Sequence, residues 1–465
     1  MRHRRYSPGS ILLAGSILLA VTVPLRKSSP LLNSELPASL DHELLDTDAI
    51  DVCRRLQDAG FTTYLVGGCV RDALLDRQPK DFDVGTSATP NQVRRLFRNS
   101  RLIGRRFRLV HVLIGPKIVE VATFRGAGDG EEDSQATESP FDGAEADEDG
   151  FIRRANVFGS PEEDAASRDF TINALFYDPV ARTIIDHVGG YADIKARRIK
   201  TIGPPELRFR EDPVRILRAI KFSARLGFRI DAPTFAAMPV VAGDIDKCPV
   251  ARVTEEVFRI AESGHIKDAV SLMNDTDVLR VVLPELADAL PDLAGRYEKH
   301  LELVDHVVRA HRGLPRELVI ALLYFPILES CSTSTDPSVV GRAVEAWLNP
   351  VGVRMHIAVR NRLSIRGLLV LLQRMKDLRR TVRLSPHDWR ALPLALTVLR
   401  LLYRRDGTGR EVYQHWRQIA AEQGLAWVPA ESPLVDTGDV HFREPRRPAT
   451  EGSRSTGSRG MRGAS

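Results

Sequence analysis

Cysteine is scarce in this chain, and the few cysteines are scattered. The 465 residues include only four, at Cys53, Cys69, Cys248 and Cys331. Their wide spacing excludes a zinc finger and a disulfide framework, so we predict reduced thiols in a cytoplasmic protein. Aromatic residues make up only 6% of the chain, which argues against a binding surface that depends mainly on stacking.

Long hydrophobic runs are nearly absent as well. The one clear run, residues 11–25, follows a basic start at residues 2–5 and resembles the first two regions of a signal peptide. No Ala-x-Ala cleavage site follows it, and it is short for a transmembrane helix. We predict that residues 1–49 form an extension that either stems from an upstream start site or contacts a membrane peripherally, and true export is the less favoured alternative.

Charge is unevenly distributed along the chain. Lysine and arginine number 66 against 61 acids, which gives a net charge of +5. Residues 127–150 hold ten acids and no base, and removing those charges from the net value leaves +15 on the rest. Such a surplus suits a polyanionic partner and also serves solubility. We predict a mobile acidic insert over 127–150 and a disordered, arginine-rich tail over 431–465.

The N-terminal half alternates short strand patterns with helical ones from residue 62 onward. Gly115-Pro116 separates two apolar stretches, 109–114 and 118–123, and this arrangement predicts a β-hairpin. Thr89-Pro90 is typical of a helix start, with threonine as the cap and proline as the first residue. The patterns together indicate a small, mixed β-sheet.

The C-terminal half is predicted to be helical. A second hairpin-like pair, 183–186 with 199–202, precedes a helical periodicity that continues to about residue 425. The fold class is therefore α+β, with a sheet-containing head followed by a helical neck and body. The predicted limits are 50–179 for the head, 180–270 for the neck and 271–430 for the body.

Two glycines stand between the first predicted strand and helix, in Leu65-Val66-Gly67-Gly68-Cys69-Val70-Arg71-Asp72. Backbone N–H groups at Gly67 and Gly68 can approach a phosphate that Arg71 also reaches. Glycine pairs more often end strands for steric reasons alone. Taken by itself, this motif leaves both interpretations open.

Three carboxylates fall on predicted strands. Alternation in Lys80-Asp81-Phe82-Asp83-Val84 sends Asp81 and Asp83 to one side and Phe82 to the core. Two carboxylates on one face repel each other unless a cation lies between them, and Mg²⁺ is the oxygen-seeking ion that fits. Glu120, an isolated acid in an apolar strand, is either an edge residue facing water or the third carboxylate of a two-metal site. The upstream pair favours the second interpretation.

Two further motifs are Arg168-Asp169-Phe170-Thr171-Ile172-Asn173-Ala174-Leu175 and Glu211-Asp212-Pro213-Val214-Arg215-Ile216-Leu217-Arg218. With the preceding motifs, they resemble the class II nucleotidyltransferases, which comprise tRNA CCA-adding enzymes and bacterial poly(A) polymerases. The resemblance covers residues 60 to about 270 and implies two Mg²⁺ ions and ATP as substrate. It implies catalysis by Asp81, Asp83 and Asp169, metal binding by Asp81, Asp83 and Glu120, and nucleotide binding by Gly67, Gly68, Arg71, Arg168, Asp212, Arg215 and Arg218.

The last of these motifs is predicted to lie on one helix that starts near Pro213. Residues 211, 215 and 218 are then spaced i, i+4 and i+7, and they form a polar stripe that Asp212 borders. The stripe either faces a base edge and a triphosphate or is a solvated surface with acid–arginine pairs. Ser167 stands where the family more often has arginine, so one phosphate contact is predicted to be weaker or absent.

Two segments, 102–112 and 158–164, resemble the bacterial poly(A) polymerase subgroup. The first contains Arg105, Arg106 and Arg108, which suit a phosphate track or a basic turn before a strand. The resemblance implies a monomer that adds AMP, without a template, to RNA with a free 3′ end, and we expect RNA on the helical body and tail. The alternatives are a CCA-adding enzyme and an inactive RNA-binding scaffold, although a scaffold would have little need of the acids in the pocket.

Overall fold

The computed structural model describes residues 40–103, 109–126, 158–311, 314–378 and 384–423. Several sequence predictions concern segments outside these residues. They are the N-terminal apolar run, the arginines of 104–108, the acidic insert and the basic tail.

The head is built on one mixed β-sheet. Its seven strands have the spatial order β3-β4-β5-β2-β1-β6-β7. Every neighbouring pair is antiparallel except β2 and β5, which run parallel. The strands are β1 (Thr63–Val66), β2 (Asp83–Thr86), β3 (Ser100–Ile103), β4 (Leu109–Ile114), β5 (Lys117–Thr123), β6 (Leu175–Asp178) and β7 (Thr183–Asp186).

The predicted hairpin at Gly115-Pro116 is confirmed. Ile114 pairs with Lys117 across a two-residue turn, in which Gly115 adopts a positive φ of 57°. Glycine reaches this conformation without the steric penalty that a Cβ atom imposes. The turn fixes the register of β4 against β5, since each step away from it pairs one further residue on each strand.

The second predicted hairpin is wrong. β7 pairs with β6, whereas Ile199 belongs to a separate strand, β8 (Arg198–Ile199), which runs parallel to β9 (Arg229–Ile230). The physical reason is α5 (Gly190–Lys195), a helix that lies between β7 and β8 and directs the chain away from the sheet.

Short helices cover the sheet. They are α1 (Thr47–Asp58), α2 (Gly68–Leu74), α3 (Pro90–Leu96) and α4 (Pro161–Ser167). The predicted start of α3 is confirmed, because Thr89 forms a capping box with Gln92 and Pro90 is the first helical residue. Such a cap satisfies backbone N–H groups that have no partner within the helix.

The two faces of the sheet differ in what they bury. One face packs Leu65, Val84 and Val121 into the main core, which continues from the head into the C-terminal helices. The opposite face carries a smaller apolar cluster, which α4 covers with Ala165 and whose other members are Val66, Phe124, Ala174 and Phe176. The polar motifs discussed below gather around this smaller cluster.

Helices make up almost all of the chain after β8, so the predicted α+β class is confirmed. They are α6 (Pro205–Glu211), α7 (Val214–Leu226), α8 (Ala232–Val241), α9 (Val250–Ala261), α10 (Ile266–Asp275), α11 (Val278–Val282), α12 (Pro284–Ala310), α13 (Arg316–Ser330), α14 (Pro337–Arg354), α15 (Val359–Met375), α16 (Pro386–Asp406) and α17 (Arg410–Glu422). In the described part of the chain, no helix combines the length and apolarity that crossing a bilayer requires. The limits between head, neck and body stay predictions.

Candidate active site

Two of the predicted carboxylates are directly paired in the sheet. Asp83 is the first residue of β2, and it is the register partner of Glu120 in the parallel strand β5. Directly paired residues on neighbouring strands point to the same face. That face is the one with the smaller apolar cluster, because Asp83 also pairs with Val66 of β1. Asp81 and Phe82 precede the strand, and Phe82 packs partly against the main core, as alternation predicts.

The electrostatics of this pair indicate a surplus of negative charge. The pKa of Asp83 is raised to about 6, mainly by desolvation, although Asp83 reaches solvent at the strand end. The negative charges of Glu120 and Asp81 contribute to this raised pKa, and the charge of Arg168 opposes them. A hard cation bound by these carboxylates would relieve their repulsion.

The Glu120 carboxylate contacts a histidine instead of converging with Asp83 on a common point. Its Oε1 lies 3.3 Å from Nε2 of His111, its partner across the β4–β5 hairpin. Within the described ranges, no group of three or more acidic, histidine or cysteine side chains converges as a metal site would. The donor set therefore fits Mg²⁺ in its chemistry, while its oxygens are not gathered at one point.

The glycine turn is packed against Arg168. Gly67 joins β1 to α2 with a φ of 76°, and a Cβ atom there would lie 2.8 Å from the Arg168 Nη1 atom. Arg168 donates from Nη1 to the Asn173 carbonyl oxygen at 3.2 Å, and its Nη2 donates to Oδ2 of Asp164 at 2.8 Å. Because Arg168 also lowers the pKa of Asp83, its charge is held close to the carboxylates. Gly68, the first residue of α2, follows directly.

Asp164 was not predicted, although the sequence contains a signal for it. It lies four residues before Arg168 on α4, a spacing that brings two side chains together on a helix. It is almost fully buried, and it also accepts a hydrogen bond from the Arg125 backbone N–H at 3.2 Å. Asp164 thus positions Arg168 and the end of β5 together.

Arg71 lies in the interior and not in an open loop. Its side chain is 3% exposed, and it donates to Asp72 Oδ1 at 2.8 and 2.7 Å and to the side chain of Asn173. In this conformation the guanidinium joins α2 to the 3-10 helix Thr171–Asn173. Its predicted contact with a phosphate stays a prediction.

Asp169 is also buried, and three donors surround it. Its carboxylate accepts hydrogen bonds from the Phe170 backbone N–H at 2.9 Å, from Asn173 Nδ2 at 3.1 Å and from Arg218 Nε at 2.7 Å. Burial acts to raise its pKa, but Arg218 and these hydrogen bonds hold the pKa below its ordinary value. The contacts make Asp169 the residue that fixes Arg218, and its predicted role in catalysis stays a prediction.

The polar stripe predicted on one helix is interrupted. Glu211 ends α6, Asp212 is extended and α7 begins after Pro213. Proline disfavours the helical conformation at the preceding residue, and this accounts for the break. Glu211 nevertheless contacts Arg215 across the break, with 3.1 Å between Oε2 and Nη1.

Asp212 has one engaged and one unengaged oxygen. Its Oδ2 accepts a hydrogen bond from Arg252 Nη2 at 2.6 Å. Its Oδ1 is buried and has no hydrogen-bond partner among the residues that the structure describes. A buried acceptor without a partner is costly, so Asp212 is suited to receive a donor from a ligand.

Arg125 is a further site residue that the sequence analysis missed. Burial lowers the pKa of its guanidinium, Asp164 opposes that effect, and the charges of Arg168 and Arg215 lower the pKa further. Arg125 is therefore close enough to Arg168 and to Arg215 for their charges to act on it. The only signal in the sequence was its position, five residues after Glu120 and just past the end of β5.

Comparisons with known proteins agree with this geometry. Residues 63–200 match the family described as "Poly A polymerase head domain", and residues 227–290 match the one described as "Probable RNA and SrmB- binding site of polymerase A". The chain carries a poly A polymerase head domain. The predicted resemblance to poly(A) polymerases and CCA-adding enzymes is confirmed.

Relatives of both kinds share this head domain. The chain is 42% identical over 300 residues to poly(A) polymerase I of Escherichia coli, and the match spans 63% of each protein. It is 36% identical to a CCA-adding enzyme of Lactobacillus helveticus, over 54% of this chain and 56% of the relative. The Bacillus stearothermophilus CCA-adding enzyme in complex with CTP has a similar structure, with a TM-score of 0.57, 28% identity and coverage of 80% and 82%.

Proposed function

We propose that the protein transfers AMP from ATP to the 3′ hydroxyl of RNA without a template. The observation that carries this proposal is the direct pairing of Asp83 with Glu120, close to the guanidinium of Arg168, which the glycine turn contacts. In the reaction, the 3′ oxygen bonds to the α-phosphorus, and the bond from that phosphorus to the pyrophosphate oxygen breaks. Higher identity to poly(A) polymerase I than to CCA-adding enzymes supports the choice of ATP.

Each charged group has a distinct task in this proposal. Asp81, Asp83 and Glu120 would hold two Mg²⁺ ions, which when bound lower the pKa of the attacking hydroxyl and steady the triphosphate. Arg168, fixed by Asp164 and the Asn173 carbonyl, neutralises charge on the triphosphate from the side of the glycine turn. A cation that is already held in place stabilises developing charge without reorganising during the reaction.

Base selection is assigned to Asp212 and Arg215. Without a template, the protein itself must hydrogen-bond the base edge. Asp212 Oδ1 is a buried acceptor that a base amino group can satisfy, and Arg215 supplies a donor beside it. A site of this kind rejects a base of the wrong pattern because its own polar groups would be left unpaired.

The surroundings of the reaction are part of the proposal. All four cysteines are free thiols, which is compatible with the cytoplasm, where ATP and RNA ends are available. We propose a monomer that binds RNA with a free 3′ end. A peripheral membrane contact through the N-terminal apolar run also stays a proposal.

One assay tests the proposed activity against its alternatives. The full chain is incubated with Mg²⁺ and labelled ATP or CTP, on a generic RNA and on a tRNA that lacks its terminal CCA. We expect long adenosine tails on both RNAs and little incorporation of CTP. Addition of only C, C and A to the tRNA would instead identify a CCA-adding enzyme, and RNA binding without incorporation would identify a scaffold.

The Arg215→Ala variant is expected to blur base selection. An unpaired base edge costs about 1–3 kcal/mol, so the ratio of kcat/KM for ATP over CTP should fall roughly tenfold to a hundredfold. Arg94→Ala, an exposed position on α3, removes the same charge from the head and should keep the ratio. A ratio that Arg215→Ala leaves unchanged would remove this residue from base recognition.

A further inference from the structure

Several arginines on the C-terminal helices form ion pairs with acids. The pairs join Arg296 to Glu329, Arg354 to Glu285, Arg366 to Glu345, Arg374 to Asp388 and Arg405 to Glu329. Arg400 and Arg404, both on α16, have no acid partner among the described residues. They lie in a groove between α12 and α16.

A groove separates these two helices, and we call it the α12–α16 groove. Its floor is apolar and includes Leu303 and Leu401, whereas its polar lining is basic. The basic residues are His306 and His311 on α12 and Arg400 and Arg404 on α16. The two arginines are spaced i, i+4, so they share one face of α16 and repel each other.

The positive charges of Arg400 and Arg404 are not compensated by an acid among the described residues. Burial lowers the pKa of His306, and the charges of Arg404, Arg309, Arg400 and His311 lower it further. Arg400 and Arg404 form no ion pair or hydrogen bond in the described part of the chain, and within the same residues Nε2 of His306 is buried without a partner.

The nearest acid on α12 does not offset these charges. Asp305, which is 4% exposed, accepts hydrogen bonds from the backbone N–H groups of Ile266 at 2.6 Å and Lys267 at 3.0 Å. It is thus occupied in capping α10. The groove keeps a concentrated positive potential that attracts an anion.

The helix α12, which forms one side of the groove, also contacts the segment that matches the RNA-binding family. Arg309, on α12, donates from Nη1 to the Gly264 carbonyl oxygen at 2.5 Å. Gly264 lies within residues 227–290, and a Cβ atom there would stand 2.6 Å from Cγ of Arg309. The close approach packs α12 directly against the matched segment.

We propose that the α12–α16 groove binds the phosphodiester backbone of single-stranded RNA and thereby extends the RNA surface beyond residues 227–290. The inference rests on the proposed function, since it takes RNA to be the substrate. Arg400 and Arg404 would contact phosphates, and the apolar floor would take the sugar or base between them. A single strand offers both kinds of group at a short repeat, which favours it over an acidic peptide.

The test compares two double variants that remove the same charge. Arg400→Gln with Arg404→Gln changes the groove, whereas Arg342→Gln with Arg390→Gln changes exposed arginines elsewhere on the body. Affinity for a labelled 20-nucleotide poly(A) is measured by fluorescence anisotropy at several salt concentrations, in EDTA and without ATP. The groove variant should weaken binding and lower the slope of log K against log salt by roughly 1.4, at 0.7 per lost contact. The control variant should keep the slope.

Equal slopes for the two variants would overturn the proposal, because they would show only a loss of net charge. A groove variant that loses affinity for poly-glutamate as much as for poly(A) would also overturn it in favour of an acidic polypeptide. Thermal unfolding checks that both variants remain folded. Since no nucleotide is added, the result is independent of whether AMP transfer occurs, and failure of the incorporation assay would be a separate finding.

Discussion

Asn substitution at Asp81 or at Asp83 is expected to lower AMP incorporation about a thousandfold. A metal ion contributes several kcal/mol of charge stabilisation to a transition state, and each 1.36 kcal/mol is a factor of ten in rate. Asparagine keeps the size of the side chain but removes its negative charge, and the charge of Asp81 is one of those that raise the pKa of Asp83. Single-turnover kinetics on a saturating RNA primer measure the loss.

Two further measurements make this result specific. RNA affinity should change by less than about twofold, and the binding of Mn²⁺, followed by its paramagnetic resonance, should weaken in both variants. Asp51→Asn, on the exposed face of α1, removes an equal charge and should behave as wild type. Near-normal incorporation by Asp81→Asn would contradict the assignment of the site.

The Asp169→Asn variant is expected to unfold with a free energy about 3 kcal/mol lower than wild type at pH 7. Removing one member of a largely buried ion pair is costly, and here it leaves Arg218 with only a longer contact, 4.0 Å to Glu256. The pKa of Asp169 is held below its ordinary value in the folded state, so its contribution is present above the unfolded pKa of about 3.9 and is lost as the pH falls through the folded pKa. Urea unfolding between pH 3 and pH 8 should show a constant difference that shrinks only at the acidic end.

A double-mutant cycle separates this pair from a general loss of stability. Arg218→Gln alone should also destabilise the protein, and the combined variant should lose less than the two single losses together. Strict additivity would mean that the two side chains do not stabilise each other. The KM for ATP should rise in the Asp169→Asn variant if holding Arg218 serves nucleotide binding.

The sequence predicts contacts between residues that are close in the chain better than contacts between residues that are far apart in it. The hairpin turn at Gly115 sets a local register, and counting outward from it predicts that His111 faces Glu120. The parallel pairing of Asp83 with Glu120 joins strands that two others separate in the chain, and no local pattern predicts it. The two carboxylates were brought together in advance by the chemical argument that the Asp81 and Asp83 pair needs a cation, and by the resemblance to a family.

Two other features of the site also have physical causes. Arg71 was predicted to reach a phosphate near the glycine turn, and that contact stays a prediction, while Asp72 and Asn173 supply buried acceptors for its guanidinium. The helix break at Pro213 had a local signal, since a proline restricts the residue before it. The i, i+4 spacing of Glu211 and Arg215 predicted one continuous helix. The two side chains do contact each other, although they belong to different helices.

The pairing of distant strands has a consequence for how the protein is made. Asp83 and Glu120 are 37 positions apart, and β1 finds its partner β6 at a separation of 112 positions, from Leu65 to Tyr177. Contacts of this range form late, because a large loop must close before they stabilise anything. On the ribosome, the β4–β5 hairpin can form as soon as it emerges, but the sheet stays incomplete until β6 follows. A polypeptide released before that point therefore contains both carboxylates and lacks the framework that holds them in register.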